Sequence, residues 1–231
     1  MGLWVLGTDT DVGKTVTSAL ILQRYVGSGP IAYWKPISTG GDDDRDRTTV
    51  SGWVDSSITI LPETYVFEPP VSPHLAARLA GVEIDPEAVL TDLVQHAMSD
   101  DERVLLVESA GGVFVPLTDD GYLSIRLVQE STLPAVVVSR STLGTINHTL
   151  LTLEALRSRN IEVIAVVVNG PPNLENRRAI EKCGRIATLE VPTLSASPPT
   201  REGIAEAAAA FDPDGLLASF FIDSDSIDSD D

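Results

Sequence analysis

With 231 residues, 43% of them hydrophobic, the chain has enough apolar material for one large α/β domain, and global disorder is excluded. Its formal charge of −18 argues against nucleic-acid binding, which needs clustered Lys and Arg, and its single cysteine, Cys183, excludes an internal disulfide or a cysteine-rich metal site. The longest apolar runs, such as AVVV at 135–138 and VIAVVV at 163–168, fall far short of a bilayer span, so no membrane association is expected.

The opening MGLWVLGTDT has neither a basic stretch nor a long apolar segment, so no secretory leader is expected, and Asp11 and its neighbours give Met-Gly no lipidation context. A cytoplasmic enzyme fits these limits. LWVL (3–6) reads as a short apolar strand, followed by the loop GTDTDVGKT and a helix over TVTSALILQRYV with an apolar stripe of Val16, Ala19, Leu20, Leu22 and Val26. After the breaker Gly27-Ser28-Gly29-Pro30, IAYW (31–34) is a second strand ending at Lys35-Pro36. DDDRDRTTVSGWV is polar first and helical later, and 86–98 has the pattern of an amphipathic helix. VLLV (104–107) reads as a buried strand ending at Glu108, LPAVVVS (133–139) as the next strand, and 147–160 as a helix. VIAVVV leads into Asn169-Gly170-Pro171-Pro172; then come a helix closed by Gly184, with Cys183 buried on it, a strand near ATLEVP and a helix from about 201 to 211. Residues 1–218 are expected to form a single domain, and 219–231, acidic and low in complexity, a disordered tail.

Continuous apolar strands separated by helices predict a mostly parallel sheet covered on both faces, a three-layer α/β fold. Polar and glycine residues gather just after the strands, at the loop 7–15, Lys35, Glu108, Ser139 and Asn169, which is the edge where such sheets bind ligands. Strand, glycine loop, Lys-Thr and helix are the context of a phosphate-binding loop. There, backbone N–H groups and a helix N-terminus meet phosphate oxygens, Lys14 reaches the β/γ-phosphates and Thr15 offers its hydroxyl to Mg²⁺. Glu108, at a strand end beside the small residues of SAGG, suits a Mg²⁺ ligand or the cap of a turn. GGDDDRD offers further ligands or is a solvated charge run. Lysine is scarce, three residues against thirteen arginines. That scarcity favours aiming Lys35 into the ligand crevice over a surface position. It also leaves two readings open: adaptation to high salt, where charge is screened within about 3 Å at 1 M, or a coding bias with an acidic tail.

The segments GTDTDVGKT, KPISTG, PPVSPHLAA, VESAGG, LGTINHTLLT and VNGPP, in this order over residues 3 to 200, resemble the dethiobiotin synthetase family of P-loop NTPases. The resemblance accounts for a first glycine, Gly7, set one residue further from Gly13 than the usual phosphate-loop spacing. It implies an ATP- and Mg²⁺-dependent ligase that closes a ureido ring on 7,8-diaminopelargonic acid with CO₂, through a carbamate and a carbamic–phosphoric anhydride. It also implies a homodimer with the site at the subunit interface. By this resemblance Lys35 and Lys14 are catalytic. ATP meets Asp11, Val12, Gly13, Lys14, Thr15, Val16, Asp46, Glu108, Ser109, Ala110 and Gly111, with Asn169, Gly170, Pro192, Thr193 and Leu194 around the base. Substrate meets Thr10, Lys35 and Thr39, and Leu143, Gly144 and Asn147 reach its carboxylate.

Thr15 and Glu108 match metal ligands, and the third is Asp46, by the helical spacing of Val50 and Trp53 behind it, or Asp44, by loop position. Ser109 stands where the family has glycine and would add a hydroxyl near the phosphates. His74 and His148 are expected to be structural. Alternatives are another synthetase of the same branch, a nucleotide-binding scaffold, or a ParA/MinD-like switch. A switch of that kind resembles K-G-G-x-x-x-K-[ST], whereas Thr8 to Val12 contain no lysine. Asp9 or Asp11 is expected to face a cation, an amine or local backbone donors rather than phosphate.

Overall fold

A computed structural model describes residues 1–41, 46–98 and 103–222, and its architecture follows from strands too apolar to face water on either side. Leu3, Trp4, Val5 and Leu6 of β1 (Gly2–Gly7) are all buried. Successive side chains of a strand point to opposite faces, so Trp4 and Leu6 join one core while Leu3 and Val5 join another. Both faces are therefore sealed by helices.

The first half of the chain runs α1 (Lys14–Arg24), β2 (Ile31–Trp34), β3 (Ile37–Thr39), α2 (Asp46–Trp53), β4 (Thr59–Ile60), β5 (Tyr65–Phe67), α3 (Pro73–Ala80) and α4 (Pro86–Ala97). The second half runs β6 (Val104–Gly112), α5 (Ser124–Ser131), β7 (Ala135–Arg140), α6 (Thr145–Arg157), β8 (Val163–Asn169), α7 (Leu174–Gly184), β9 (Thr188–Glu190) and α8 (Arg201–Ala210). Among the described residues, seven strands form one parallel sheet in the order β4-β2-β6-β1-β7-β8-β9, and β3 pairs with β5 in a small parallel sheet beside it. One face carries α1, α2 and α8 over Leu3, Val5, Tyr33, Leu106 and Val136; the other carries α3 to α7 over Trp4, Trp34, Val107 and Val137. This is the expected three-layer arrangement.

The structure corrects several boundaries. β6 does not end at Glu108 but runs to Gly112, because β1 pairs with it at Val5–Glu108 and, after a register shift, at Gly7–Gly112. Glu108 is thus an inner strand residue with no exposure. α6 begins at Thr145, before the expected Asn147. Short elements with weak periodicity, β3, β4, β5, α3 and α5, had no counterpart in the sequence reading. Cys183, expected inside, is exposed on α7.

Residues 219–222, expected to belong to the tail, pack on the domain. Ala218–Phe220 form a 3₁₀ turn, and Phe221 stacks on Tyr25 with ring centroids 4.6 Å apart. Buried Asp212 accepts from Tyr25 Oη and from the amides of Leu216 and Leu217, tying this segment to α1. The remainder of the expected tail lies outside the described residues.

Candidate active site

The C-terminal ends of β1, β2, β6, β7 and β8 share one edge of the sheet, and a cavity of about 740 Å³ opens there. Its floor is the loop between β1 and α1. Gly13, at φ 98°, holds the left-handed conformation at the start of α1, and a Cβ on it would lie 2.0 Å from Asn169 Nδ2. That close approach explains the glycine. Asn169, at the end of β8, donates to the Val12 carbonyl at 3.0 Å and so clamps the loop from two strands away. Gly7 is equally constrained, since a Cβ there would sit 2.7 Å from the Asp9 carbonyl. The lengthened loop curls back over that point, and Lys14 Nζ donates to the same carbonyl at 3.1 Å.

Asp9, one of the two carboxylates in this anion-binding loop, pairs with Arg140 at 3.2 Å and accepts from the Thr10 amide. Its charge is turned to a cation at the end of β7. Both partners are substantially exposed, so the pair contributes at most about 1 kcal/mol. Asp11, at φ 55°, lines the cavity.

The chemical centre is a cluster of oxygens and ammonium groups. Thr15 and Ser18 lie one turn apart on α1 and face the sheet. Thr15 Oγ1 lies 2.5 Å from Asp46 Oδ1 and 3.1 Å from Glu108 Oε1, while Ser18 Oγ donates to Glu108 Oε2 at 2.8 Å. Asp46 is the first residue of α2, with Val50 buried behind it. Lys35, at the end of β2, pairs with Asp46 and, at 3.3 Å, with Glu108 Oε1. Tyr33, on β2 and on the same face of the sheet as its register partner Leu106 of β6, donates to Glu108 Oε2 at 3.0 Å.

Burial alone would push the Lys35 ammonium down, but Glu108 and Asp46 hold it above its ordinary value. Burial likewise pushes the Asp46 carboxyl up, and Lys35 and the Thr15 hydroxyl outweigh that, holding it below the ordinary 3.8. Lys14 goes the other way. Burial lowers it, Glu108 opposes, and the second ammonium, Lys35, lowers it further. Burial and then Glu108 hold the Tyr33 phenol well above its usual range, so it stays a donor.

Thr10, Asp11, Gly13, Lys14, Thr15, Val16, Lys35, Thr39, Asp46, Glu108, Ala110, Gly111 and Asn169 all line this one cavity. Val12 and Ser109 are buried and do not line it, so the expected Ser109 hydroxyl is not in the pocket. Gly170, Pro192, Thr193 and Leu194 are also not in the lining; the last three follow β9, beside the end of β8. Leu143, Gly144 and Asn147 are exposed on the α6 N-terminal turn and do not line the cavity within one chain. Asp44 lies outside the described residues. Sequence reasoning missed Tyr33 and Ser18, which look like core positions, and the wall made by Pro70, Val71, Ser72 and Pro73. The motif PPVSPH was the available signal for that wall.

Two carboxylates and a hydroxyl around one point form a hard, all-oxygen donor set. Mg²⁺ suits it, since that ion takes one or two carboxylates and completes its shell with water and phosphate oxygens. The two ammonium groups and the glycine loop beside it suit a polyphosphate. The residues present therefore fit a magnesium–nucleotide complex. Among the described residues, no helix is long and apolar enough to cross a membrane.

Comparison with known proteins agrees with this chemistry. The family model described as an AAA domain matches residues 1–201. The ATP-dependent dethiobiotin synthetase of Paramagnetospirillum magneticum is 45% identical over 188 residues, covering 81% of this chain and 85% of its own length. That of Nitrobacter hamburgensis is 41% identical, covering 94% and 95% respectively. Among solved structures, the MinC–MinD complex of Aquifex aeolicus matches with TM-score 0.57 at 12% identity over 90% of this chain and 92% of the other. A ParA family ATPase of Chlorobium tepidum matches with TM-score 0.53 at 12% identity over 96% and 97%. These two share the fold of this chain, a P-loop NTPase fold.

The charge cluster has a testable consequence for stability. A carboxyl whose folded value lies below its unfolded one contributes stability that is present above the unfolded value and lost as pH falls through the folded value. Asp46→Asn is therefore expected to lower the urea midpoint at about pH 7, with the gap to the unaltered protein narrowing below 3.8. An undiminished gap at about pH 2.5 contradicts the assigned direction.

Proposed function

The chain belongs to the dethiobiotin synthetase family, and we propose that the cavity at its sheet edge is where the family's reaction takes place. The protein is an ATP- and Mg²⁺-dependent cyclo-ligase that forms C–N bonds, closing the ureido ring of 7,8-diaminopelargonic acid with CO₂ to give dethiobiotin, ADP and phosphate. The observation that supports this assignment of the site is the convergence of Lys14, Lys35, Thr15, Asp46 and Glu108 on one cavity.

When bound, ATP supplies the phosphoryl group, and Mg²⁺, held by Thr15, Asp46 and Glu108, offsets the charge on its phosphates. The loop amides from Asp11 to Val16 and the Lys14 ammonium cradle the phosphates and hold them still. Asn169 spends one of its two amide N–H donors on the Val12 carbonyl. In our reading its amide oxygen is what accepts from the adenine, with Pro192, Thr193 and Leu194 beside the base.

One substrate amine bonds to the carbon of CO₂ and loses a proton, giving a carbamate. A carbamate oxygen then takes the γ-phosphoryl group. The second amine attacks the carbamoyl carbon, phosphate leaves, and the ring is closed. Thr10 and Thr39 orient the diamine. Lys35 stands over the developing charge on the transferring group, electrostatic work that depends on a fixed ammonium in a site shielded from water.

Leu143 is fully exposed and Gly144 and Asn147 are exposed beside it. A second copy of the chain presenting this turn would complete the site for the substrate carboxylate, with the N-terminus of α6 favouring an anion. We therefore read the enzyme as a homodimer. A cytoplasmic location is the compartment we assign it.

Phosphate release from ATP, Mg²⁺ and bicarbonate is expected only when the diamine is present; release without it, or none with it, contradicts the reading. Lys35→Gln is expected to keep nucleotide affinity and to cut turnover about 10²–10³-fold. A variant that loses its fold instead would make Lys35 a structural residue. Leu143→Glu is expected to shift the sedimentation coefficient from dimer to monomer. It should also raise KM for the diamine about tenfold while leaving ADP affinity unchanged. A monomeric, fully active wild-type protein argues against the shared site.

A further inference from the structure

Glu108 has no exposure and is met by four donors among the described residues, but its two oxygens do different things. Oε1 faces the cavity side, where it takes Thr15 Oγ1 at 3.1 Å and Lys35 Nζ at 3.3 Å. Oε2 is turned into the core and takes Ser18 Oγ at 2.8 Å and Tyr33 Oη at 3.0 Å. The last torsion of a glutamate is soft and broadly two-fold, so the carbon framework alone does not decide how many oxygens it offers. Tyr33 does more to decide it than any loop residue. It too has no exposure, and it sits on an inner strand, β2, paired with β4 on one side and β6 on the other, so close packing leaves its phenol little room to follow a moving carboxylate.

We propose that Tyr33, supported by Ser18, is a positioning residue that locks the Glu108 carboxylate so that a single oxygen, Oε1, faces the magnesium–nucleotide complex. One oxygen suits an ion that needs near-ideal octahedral geometry at about 2.1 Å; both oxygens suit a larger ion such as Ca²⁺, which takes bidentate carboxylates at about 2.3–2.6 Å. Tyr33 is thereby a determinant of metal selectivity as well as of affinity, acting entirely through Glu108. Outer hydrogen-bond partners of metal ligands typically carry about 10- to 100-fold in affinity.

The inference rests on reading Thr15, Asp46 and Glu108 as the metal-facing group, and its test separates the two. Mn²⁺ binding to the whole protein in the presence of ADP is followed by electron paramagnetic resonance, with Ca²⁺ as competitor, and ADP affinity is measured separately in EDTA. Tyr33→Phe is expected to weaken Mn²⁺ binding about tenfold, to let Ca²⁺ compete better, and to leave ADP affinity in EDTA unchanged. Ser18→Ala is expected to move Mn²⁺ binding and Ca²⁺ competition in the same directions and likewise to leave ADP affinity in EDTA unchanged, and it carries the test alone if the Phe variant does not fold. Mn²⁺ affinity and Ca²⁺ competition unchanged in both variants, or an equal loss of ADP affinity in EDTA, overturns the role of Tyr33. If the unaltered protein with ADP binds no Mn²⁺, the metal-site reading itself falls, and the Tyr33 inference with it.

Discussion

A buried ammonium, Lys35, held between the fully buried Glu108 and the partly buried Asp46, is the constraint around which the rest of this site is arranged. Buried charges persist only when paired and hydrogen-bonded, and removing one partner of such a group typically costs about 3–5 kcal/mol. Each neighbouring element supplies part of the compensation. α1 brings two hydroxyls, β2 brings a lysine and a phenol, α2 begins at the aspartate, and the long β6 keeps the glutamate at a fixed register. An apolar cluster of similar volume would stabilise the fold as well or better. Retaining charge here makes sense as chemistry: the same oxygens that neutralise Lys35 are those suited to a divalent ion, and the ammonium they hold is the one suited to a phosphoryl group.

Much of this was legible in the sequence, and the reason differs from residue to residue. The strands could be read because a parallel sheet sealed on both faces requires continuous apolar runs such as AVVV and VIAVVV. Lys35 stood out because lysine is so rare in this chain that its place at a strand end carried information. The apolar positions behind Asp46 suggested that a helix starts there, and α2 does, with Val50 buried. Tyr33 and Ser18 were invisible for the opposite reason. A tyrosine inside IAYW and a serine inside an apolar helix are what an ordinary core looks like, and only the third dimension brings both hydroxyls onto one carboxylate oxygen. Glu108 was noticed as a strand-end acid although the strand continues past it. The pairing that carries it on to Gly112 depends on β1, far away in sequence.

One of the two carboxylates of the phosphate loop is also less paradoxical in three dimensions. Asp9 is directed to Arg140 at the end of β7, and Lys14 folds back on the Asp9 carbonyl, while Asp11 lines the cavity. The extra residue provides the curl that Gly7 must accommodate, while Gly13 is set by the approach of Asn169. The same loop separates this chain from the switch-type ATPases whose fold it shares. Nothing between Thr8 and Val12 supplies the additional lysine of that class. A common architecture thus carries a different site, as is usual for widely used folds.

If Thr15, Asp46 and Glu108 hold Mg²⁺ as proposed, the ion replaces Lys35 as counter-ion to the two carboxylates and leaves its ammonium to the phosphates. A crystal structure with Mg²⁺ and a non-hydrolysable ATP analogue tests it most directly. The ion is expected on Thr15, Asp46 and Glu108 Oε1, with the Lys35 ammonium moved onto the γ-phosphate. Lys35 still seated between the two carboxylates, with the ion bound elsewhere, would contradict it.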